Sequence, residues 1–325
     1  MHNLGLRSAV AGAVLVAGIC FAADVKAPRQ IAMSSFWVDP AGTASRDVFY
    51  GPGGPELAPR SMEFQFIEED TSGTTPKFIV RDKQGVTWKM KLGVEARPEV
   101  AASRLMWAAG YYAYPEYFLA SAYVQGLPSQ LRRGQTQFDP AGGVHQIRLQ
   151  RMDFAKKLGT WKWRESPFLR TREFNGFRTL MALLNNWDLK DTNNAILQKS
   201  DGTVIYCVSD LGASFGGTLH AKGNAGAYSS TSMIESVKTE TVDFNVPAIP
   251  PFVEAIAIPA YVRRVNMRWI AKDVPRTHAR WMGEILGRLS PHQIRDILRA
   301  AGFSPEEVET FAGELQSRIA ELRAL

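Results

Sequence analysis

Residues 186–212 read NWDLKDTNNAILQKSDGTVIYCVSDLG, and the alternation of polar and apolar runs in this stretch decides how the chain is read. A polar loop, 185–194, precedes two short apolar runs, 195–198 and 203–208. Between them lies Lys199-Ser200-Asp201-Gly202, whose Asp-Gly pair favours the tight turn of a β-hairpin. A hairpin places the residues before its first strand beside the residues after its second. Asp188, Asp191, Asn193 and Asn194 stand on one side and Asp210 on the other, so carboxylates and amides distant in sequence are expected at one end of two strands. Hard oxygen donors of this kind suit Mg²⁺ or Mn²⁺, which keep several waters and bind through one or two carboxylates plus phosphate.

Upstream, the patterns are those of strands followed by one helix. Residues 62–67 alternate, 71–76 form a turn, 78–80 a second strand, 82–85 a second turn and 86–92 a third strand. In the third, Trp88, Met90 and Leu92 share one face while Lys89 and Lys91 share the other. A helix fits 98–109, with Pro98 in its first turn and Gly110 at its left-handed end. Residues 117–124 and 144–152 complete five expected strands. Downstream the pattern turns helical. Phe174, Phe177, Leu180, Met181 and Leu184 recur at helical spacing over 170–184. Capping boxes open at Ser290 and Ser304, and Val308, Phe311, Leu315, Ile319 and Leu322 form one stripe of a last helix.

Several features resemble those of protein kinases. Residues 187–193, Trp-Asp-Leu-Lys-Asp-Thr-Asn, are similar to the catalytic loop H-R-D-x-x-x-x-N, and Ser209-Asp210-Leu211-Gly212 is similar to the D-F-G element. The resemblance covers about residues 62–215. It implies an α+β, two-lobed fold, with a strand-rich N-lobe at 61–155 and a helical C-lobe at 156–325. It also implies roles: Asp188 positions the acceptor hydroxyl, Asn193 and Asp210 hold the metal, Lys91 contacts nucleotide phosphates and Glu99 is its ion-pair partner. Lys89 and Glu95 are the alternatives to that pair, and Asn194 competes with Asn193. Asp191 is either a further ligand or a solvated loop charge. The turn carrying Gly73 and Lys77 occupies the place where the family covers the phosphates, with one glycine instead of G-x-G-x-x-G. Asn186-Trp187 replaces His-Arg, Leu211 replaces Phe, and no APE-type end to the activation segment is recognisable. These departures resemble atypical members, the HipA-like, phosphoinositide-kinase-like and secretory-pathway kinases. The implied cofactors are ATP and Mg²⁺ or Mn²⁺. The acceptor (protein, glycan, lipid or small molecule), the nucleotide donor, and phosphoryl as opposed to AMP transfer all stay open.

The remaining sequence sets the context. At 325 residues, 45% hydrophobic and 22% charged, the composition is that of a globular chain. The net charge of +6 is spread along it, so no nucleic-acid footprint is expected. Arg7, the uncharged run 9–21 and Ala22-Ala23 have the layout of a cleavable secretory signal over 1–22, which predicts an exported, periplasmic or extracellular protein with no transmembrane segment after cleavage. Loss of Cys20 would leave Cys207 alone, read as a small buried hydrophobe in a strand. Residues 23–60, rich in Pro and Gly, are read as an extended arm. The same chain admits two rival readings. One is a non-catalytic, pseudokinase-like binding or scaffolding module, since ATP is scarce outside cells. The other is a serine hydrolase, because Gly212-Ala213-Ser214-Phe215-Gly216 fits the G-x-S-x-G elbow.

Overall fold

The structure is a computed structural model that describes residues 31–73, 75–186, 188–216, 228, 232–245 and 267–325. The expected signal segment, Cys20 and Trp187 lie outside the described residues.

Five strands form the N-terminal half: β1 (Glu63–Asp70), β2 (Lys77–Asp82), β3 (Thr87–Leu92), β4 (Glu116–Gln125) and β5 (Gly143–Arg151). They close into a barrel in the order β1-β2-β3-β5-β4, sealed by a parallel β1–β4 pair. Period-two alternation explains why the barrel fills itself. Phe78, Val80, Trp88, Met90, Leu92, Ile147 and Leu149 all turn inward and are buried. The opposite face of β3 then carries Lys89 and Lys91 outward. Helix α1 (Ala96–Ala108) covers part of that face, packing on β4 and β5. It begins two residues before the expected Pro98 and stops at Gly110. There φ is +95°, and a Cβ would stand 2.3 Å from the Val38 carbonyl. The glycine is required both for the left-handed turn and for the close approach.

The C-terminal half holds β6 (Lys156–Gly159), α2 (Arg172–Leu183), the hairpin β7 (Asn194–Gln198) and β8 (Val204–Val208), and β9 (Ile234–Val237) with β10 (Thr241–Phe244) and β11 (Val274–Pro275). It ends in α3 (Arg276–Leu286), α4 (Pro291–Ala300) and α5 (Pro305–Ala324). Both expected capping boxes form, at Ser290–Gln293 and Ser304–Glu307, and the whole apolar stripe of α5 is buried. The fold class is the expected one, α+β with a strand-rich half followed by a mainly helical half. The short strands β6 and β9 to β11 had no alternating signal long enough to read. Cys207 is buried in β8, where burial pushes its thiol up to about 12, so it packs as the expected small hydrophobe.

The stretch read as an extended arm is, from residue 33 onward, packed through short 3-10 turns at Met33–Ser35, Thr43–Ser45 and Gly51–Gly53. Phe36 stacks on Phe168 with ring centroids 4.7 Å apart and meets Phe177 edge-on at 5.2 Å. Val38 donates its amide to the Gly110 carbonyl at 2.9 Å, and Gln293 on α4 donates to the Thr43 carbonyl at 2.9 Å. Buried aromatic area is what the Pro/Gly count conceals, since one Phe in a pocket outweighs several permissive backbone positions.

Candidate active site

Pairing across three strands sets the electrostatics of the site. Lys91 lies opposite Lys77 of β2 and opposite Arg148 of β5. Directly opposed side chains share a face, so three cations would repel one another without counter-charge. The counter-charge comes from α1 and from the segment after β8. Lys91 Nζ is 2.8 Å from Glu99 Oε2, 2.6 Å from Glu95 Oε2 and 3.2 Å from Asp210 Oδ1. Lys91 is 2% exposed and Glu99 1%. Burial opposes the charge on Lys91, but Glu99, Asp210 and Glu95 outweigh it and raise its pKa above the ordinary lysine value. Burial alone would raise the Asp210 carboxyl; Lys91 and the Gly212 amide, 3.3 Å away, more than offset it and hold it low. Both groups are therefore charged at neutral pH.

The alternative lysine, Lys89, lies on the same outer face of β3 but pairs with Asp70 at 2.9 Å in place of the acidic cluster around Lys91. Glu95 is a partner in addition to Glu99. Its Oε2 also accepts from Thr75 Oγ1 at 3.0 Å, and Gly212 leaves only enough room for it, since a Cβ there would lie 2.8 Å from Glu95 Cβ. One carboxylate thus ties the β1–β2 turn, the lysine and the Asp210 segment together. In that turn Gly73 has φ +67°, and a Cβ on it would meet Lys77 Nζ at 3.3 Å. Lys77 Nζ stands 3.4 Å from Ser72 Oγ, and burial, with Lys91 adding to it, lowers its pKa.

Across the cleft the hairpin does what the spacing predicts. Ser209 donates its amide to the Asn193 carbonyl at 2.6 Å and its hydroxyl to the same oxygen at 3.0 Å, so Asp210 begins beside Asn193. Asn193 Nδ2 donates to the Asp188 carbonyl at 2.8 Å and to Asp188 Oδ2 at 3.2 Å. Lys190 Nζ reaches the same Oδ2 at 2.9 Å. Asp188 Oδ1 is buried with no hydrogen-bond partner among the described residues, an orphaned acceptor in this loop. The alternative Asn194 is 1% exposed and donates to the Trp161 carbonyl at 3.0 Å, facing the core. Asp191 accepts from the Trp163 amide at 2.9 Å and serves as a loop fastener.

These residues fit a divalent cation. Asn193 spends its NH₂ on Asp188, which leaves the amide oxygen as its available end, and Asp210 keeps a half-exposed carboxylate. Among the described residues no three His, Cys, Asp or Glu side chains gather to hold a metal by themselves. One carboxylate and one amide oxygen, completed by ligand oxygens, is a donor set for Mg²⁺ or Mn²⁺ and not for zinc.

Ser214 is not presented as an elbow nucleophile: it is fully buried, its Oγ has no partner among the described residues, and residues 211–216 run through turns. A nucleophile without access has no chemistry to do. Two residues near the centre carried no signal in the sequence, Arg148 and Lys190. Lys190 lies in a loop and Arg148 on the outward face of β5, and only knowledge of strand order would have placed Arg148 beside Lys91.

No family model matches the chain, and no curated protein does. Among solved structures, it is similar to the Helicobacter pylori proinflammatory kinase CtkA, with 11% identity over 81% of this chain and 97% of that one, at a TM-score of 0.42. It is also similar to the Golgi casein kinase, with 10% identity over 81% of this chain and 72% of that one, at a TM-score of 0.33. Likeness at these scores carries no weight on its own. The barrel with its covering helix, the Lys91–Glu99 pair and the hairpin that delivers Asp210 to that pair are the arrangement that the resemblance to protein kinases implies.

Proposed function

We propose that this chain is an exported, metal-dependent phosphotransferase that moves a nucleotide γ-phosphoryl group to an acceptor hydroxyl. The observation that carries the reading is Lys91 bracketed by Glu99 from α1 and Asp210 from beyond β8. A buried lysine fixed between two halves of a fold is preorganised charge, and charge aimed at a phosphate needs no rearrangement when the reaction occurs. In this reading Lys91 binds phosphate oxygens, Glu99 orients it, and a phosphate takes the place of Glu95 on its open side. Lys77 and the backbone around Gly73 close over the phosphates. Asp188 receives the acceptor hydroxyl, with Asn193 and Lys190 holding its carboxylate in place. Lys190, paired with Asp188, also lines a cavity of about 620 Å³ with Lys162, Arg164, Asp191 and Thr192, a space in which an acceptor can sit. Mg²⁺ or Mn²⁺ held by Asn193 and Asp210 would neutralise charge building up on the transferred phosphoryl group.

A second reading draws on Glu95. Its carboxylate already stands on Lys91, as it would in a non-catalytic module that keeps the shape of the site. One experiment separates the two. Residues 23–325 are heated with Mg²⁺ or Mn²⁺ and ATP, beside Asp210→Ala. Binding at a hundredfold excess over the dissociation constant stabilises by about 2.7 kcal/mol. A metal-dependent rise lost in the variant supports the phosphotransferase; no rise with any nucleotide supports the binding module.

A further inference from the structure

Glu99 has two carboxylate oxygens, and each is held by a different cation. Oε2 meets Lys91 at 2.8 Å, and Oε1 meets Arg148 Nη2 at 3.2 Å. The guanidinium is itself fixed. Its Nη1 donates to Gln150 Oε1 at 2.9 Å, and its Nε faces Glu116 Oε1 at 3.7 Å. Lys91, Glu99, Arg148 and Glu116 are each no more than 3% exposed. Lys91, Glu99 and Arg148 thus form a buried row of alternating charge running from the cleft into the wall between the barrel and α1, with the carboxyl of Glu116 at its inner end.

Geometry makes the second contact matter. The terminal torsion of a Glu side chain is broad, so a carboxylate anchored at one oxygen can swing. Lysine, on a flexible four-carbon stem, moves with its partner. A planar guanidinium bonded on its other edge is a rigid stop, and with both oxygens held Glu99 has one orientation. Strand register supplies that stop directly, because Arg148 is the β5 residue opposite Lys91.

We propose that Arg148 is a positioning residue for the phosphate-binding lysine, acting through Glu99: it fixes the carboxylate that fixes Lys91. The proposal rests on the reading of Lys91 as a phosphate ligand. A purely structural Arg148 would stabilise the wall without governing where the Lys91 amine stands.

The test uses Glu99→Gln, Arg148→Met, the double variant and Arg148→Lys, with two readouts. The first is acetylation of the Lys91 amine by acetic anhydride, measured by mass spectrometry with no nucleotide present. The second is the dissociation constant for Mg-ATP by calorimetry. Acetylation is expected to rise about tenfold in Arg148→Met and in Glu99→Gln, with no further rise in the double variant. Mg-ATP affinity is expected to fall in the same non-additive pattern. Arg148→Lys keeps the charge but loses the fork, and is expected between wild type and Arg148→Met. It carries the test if removing the guanidinium prevents folding. Acetylation at the wild-type rate in the Arg148 variants, or additive losses in the double variant, overturns the proposal. Acetylation that rises as expected while Mg-ATP binding is unchanged, or absent from the wild type, leaves Arg148 as the positioner of Lys91. That outcome sinks instead the assignment of Lys91 to phosphate.

Discussion

Lys91 and Asp210 are 119 residues apart in the chain and 3.2 Å apart in space. The bond joins the strand-rich half to the helical half, so the centre of the site is also a seam. A change at either residue should register in ligand binding and in stability.

Lys91→Met removes the one charge shared by Glu95, Glu99 and Asp210. Breaking a buried pair from one side typically costs about 3–5 kcal/mol, and because Arg148 stays on Glu99 the expected loss is at the lower end, about 3 kcal/mol. Urea unfolding measures this. The nucleotide-dependent rise in melting temperature should vanish in the same variant; a variant that keeps it would remove Lys91 from the phosphate site.

Asp188→Asn and Asp210→Asn should fail in different ways. Asp210→Asn takes away the carboxylate proposed to hold the metal, so metal-dependent nucleotide binding is expected to be lost in calorimetry. Asp188→Asn retains that binding and lowers turnover by about 10²–10⁴-fold, the range for a proton-handling group. Equal loss of binding in both would mean that Asp188 is a structural part of the nucleotide pocket.

Glu116 gives a pH signature. Burial raises its carboxyl to about 8 even though Arg148, Lys91 and Arg104 oppose this, with Glu99 adding to the rise. Between the ordinary value of 4.5 and about 8 the folded chain holds a proton that the unfolded chain has released. Stability from this group therefore falls as pH rises through that window and levels off above it. Glu116→Gln should remove the decline, matching wild type near the acid end and exceeding it at the alkaline end in urea titrations at both. A decline that persists unchanged in the variant assigns it to other groups.

Ser214→Ala should leave any phosphotransfer unchanged. It removes a buried hydroxyl without a partner among the described residues, so stability is expected to stay level or rise by up to about 1 kcal/mol. A fluorophosphonate probe should not label the wild-type chain; labelling that disappears in the variant would restore the hydrolase reading.

The parts of this protein that were legible in sequence are those set by local rules. The five strands, α1, α2, both capping boxes and the hairpin come from alternation, helical spacing and turn chemistry, and the hairpin alone brought Asn193 to Asp210. The choice between Glu95 and Glu99 was not legible, because both meet Lys91 and only the start of α1 at Ala96 sets their spacing. The choice between Asn193 and Asn194 turned on which side chain faces the core, and that depends on Trp161, some thirty residues away in the chain. Arg148 was invisible for a related reason. Its partner is fixed by β3–β5 pairing across the intervening β4, a long-range fact that no single strand announces.

The packed segment before β1 touches both halves at once. Val38 and Trp37 hold the end of α1 through the carbonyls of Gly110 and Ala109, while Phe36 is lodged among Phe168 and Phe177, and Thr43 is gripped from α4. Mechanically it is a tether laid across a hinge. Any widening of the cleft must stretch hydrogen bonds at one end or drag an aromatic ring out at the other, so the two halves can tilt only slightly without local melting. Any ligand that enters the cleft is therefore expected to do so through the loops at its rim, with the two halves kept nearly fixed.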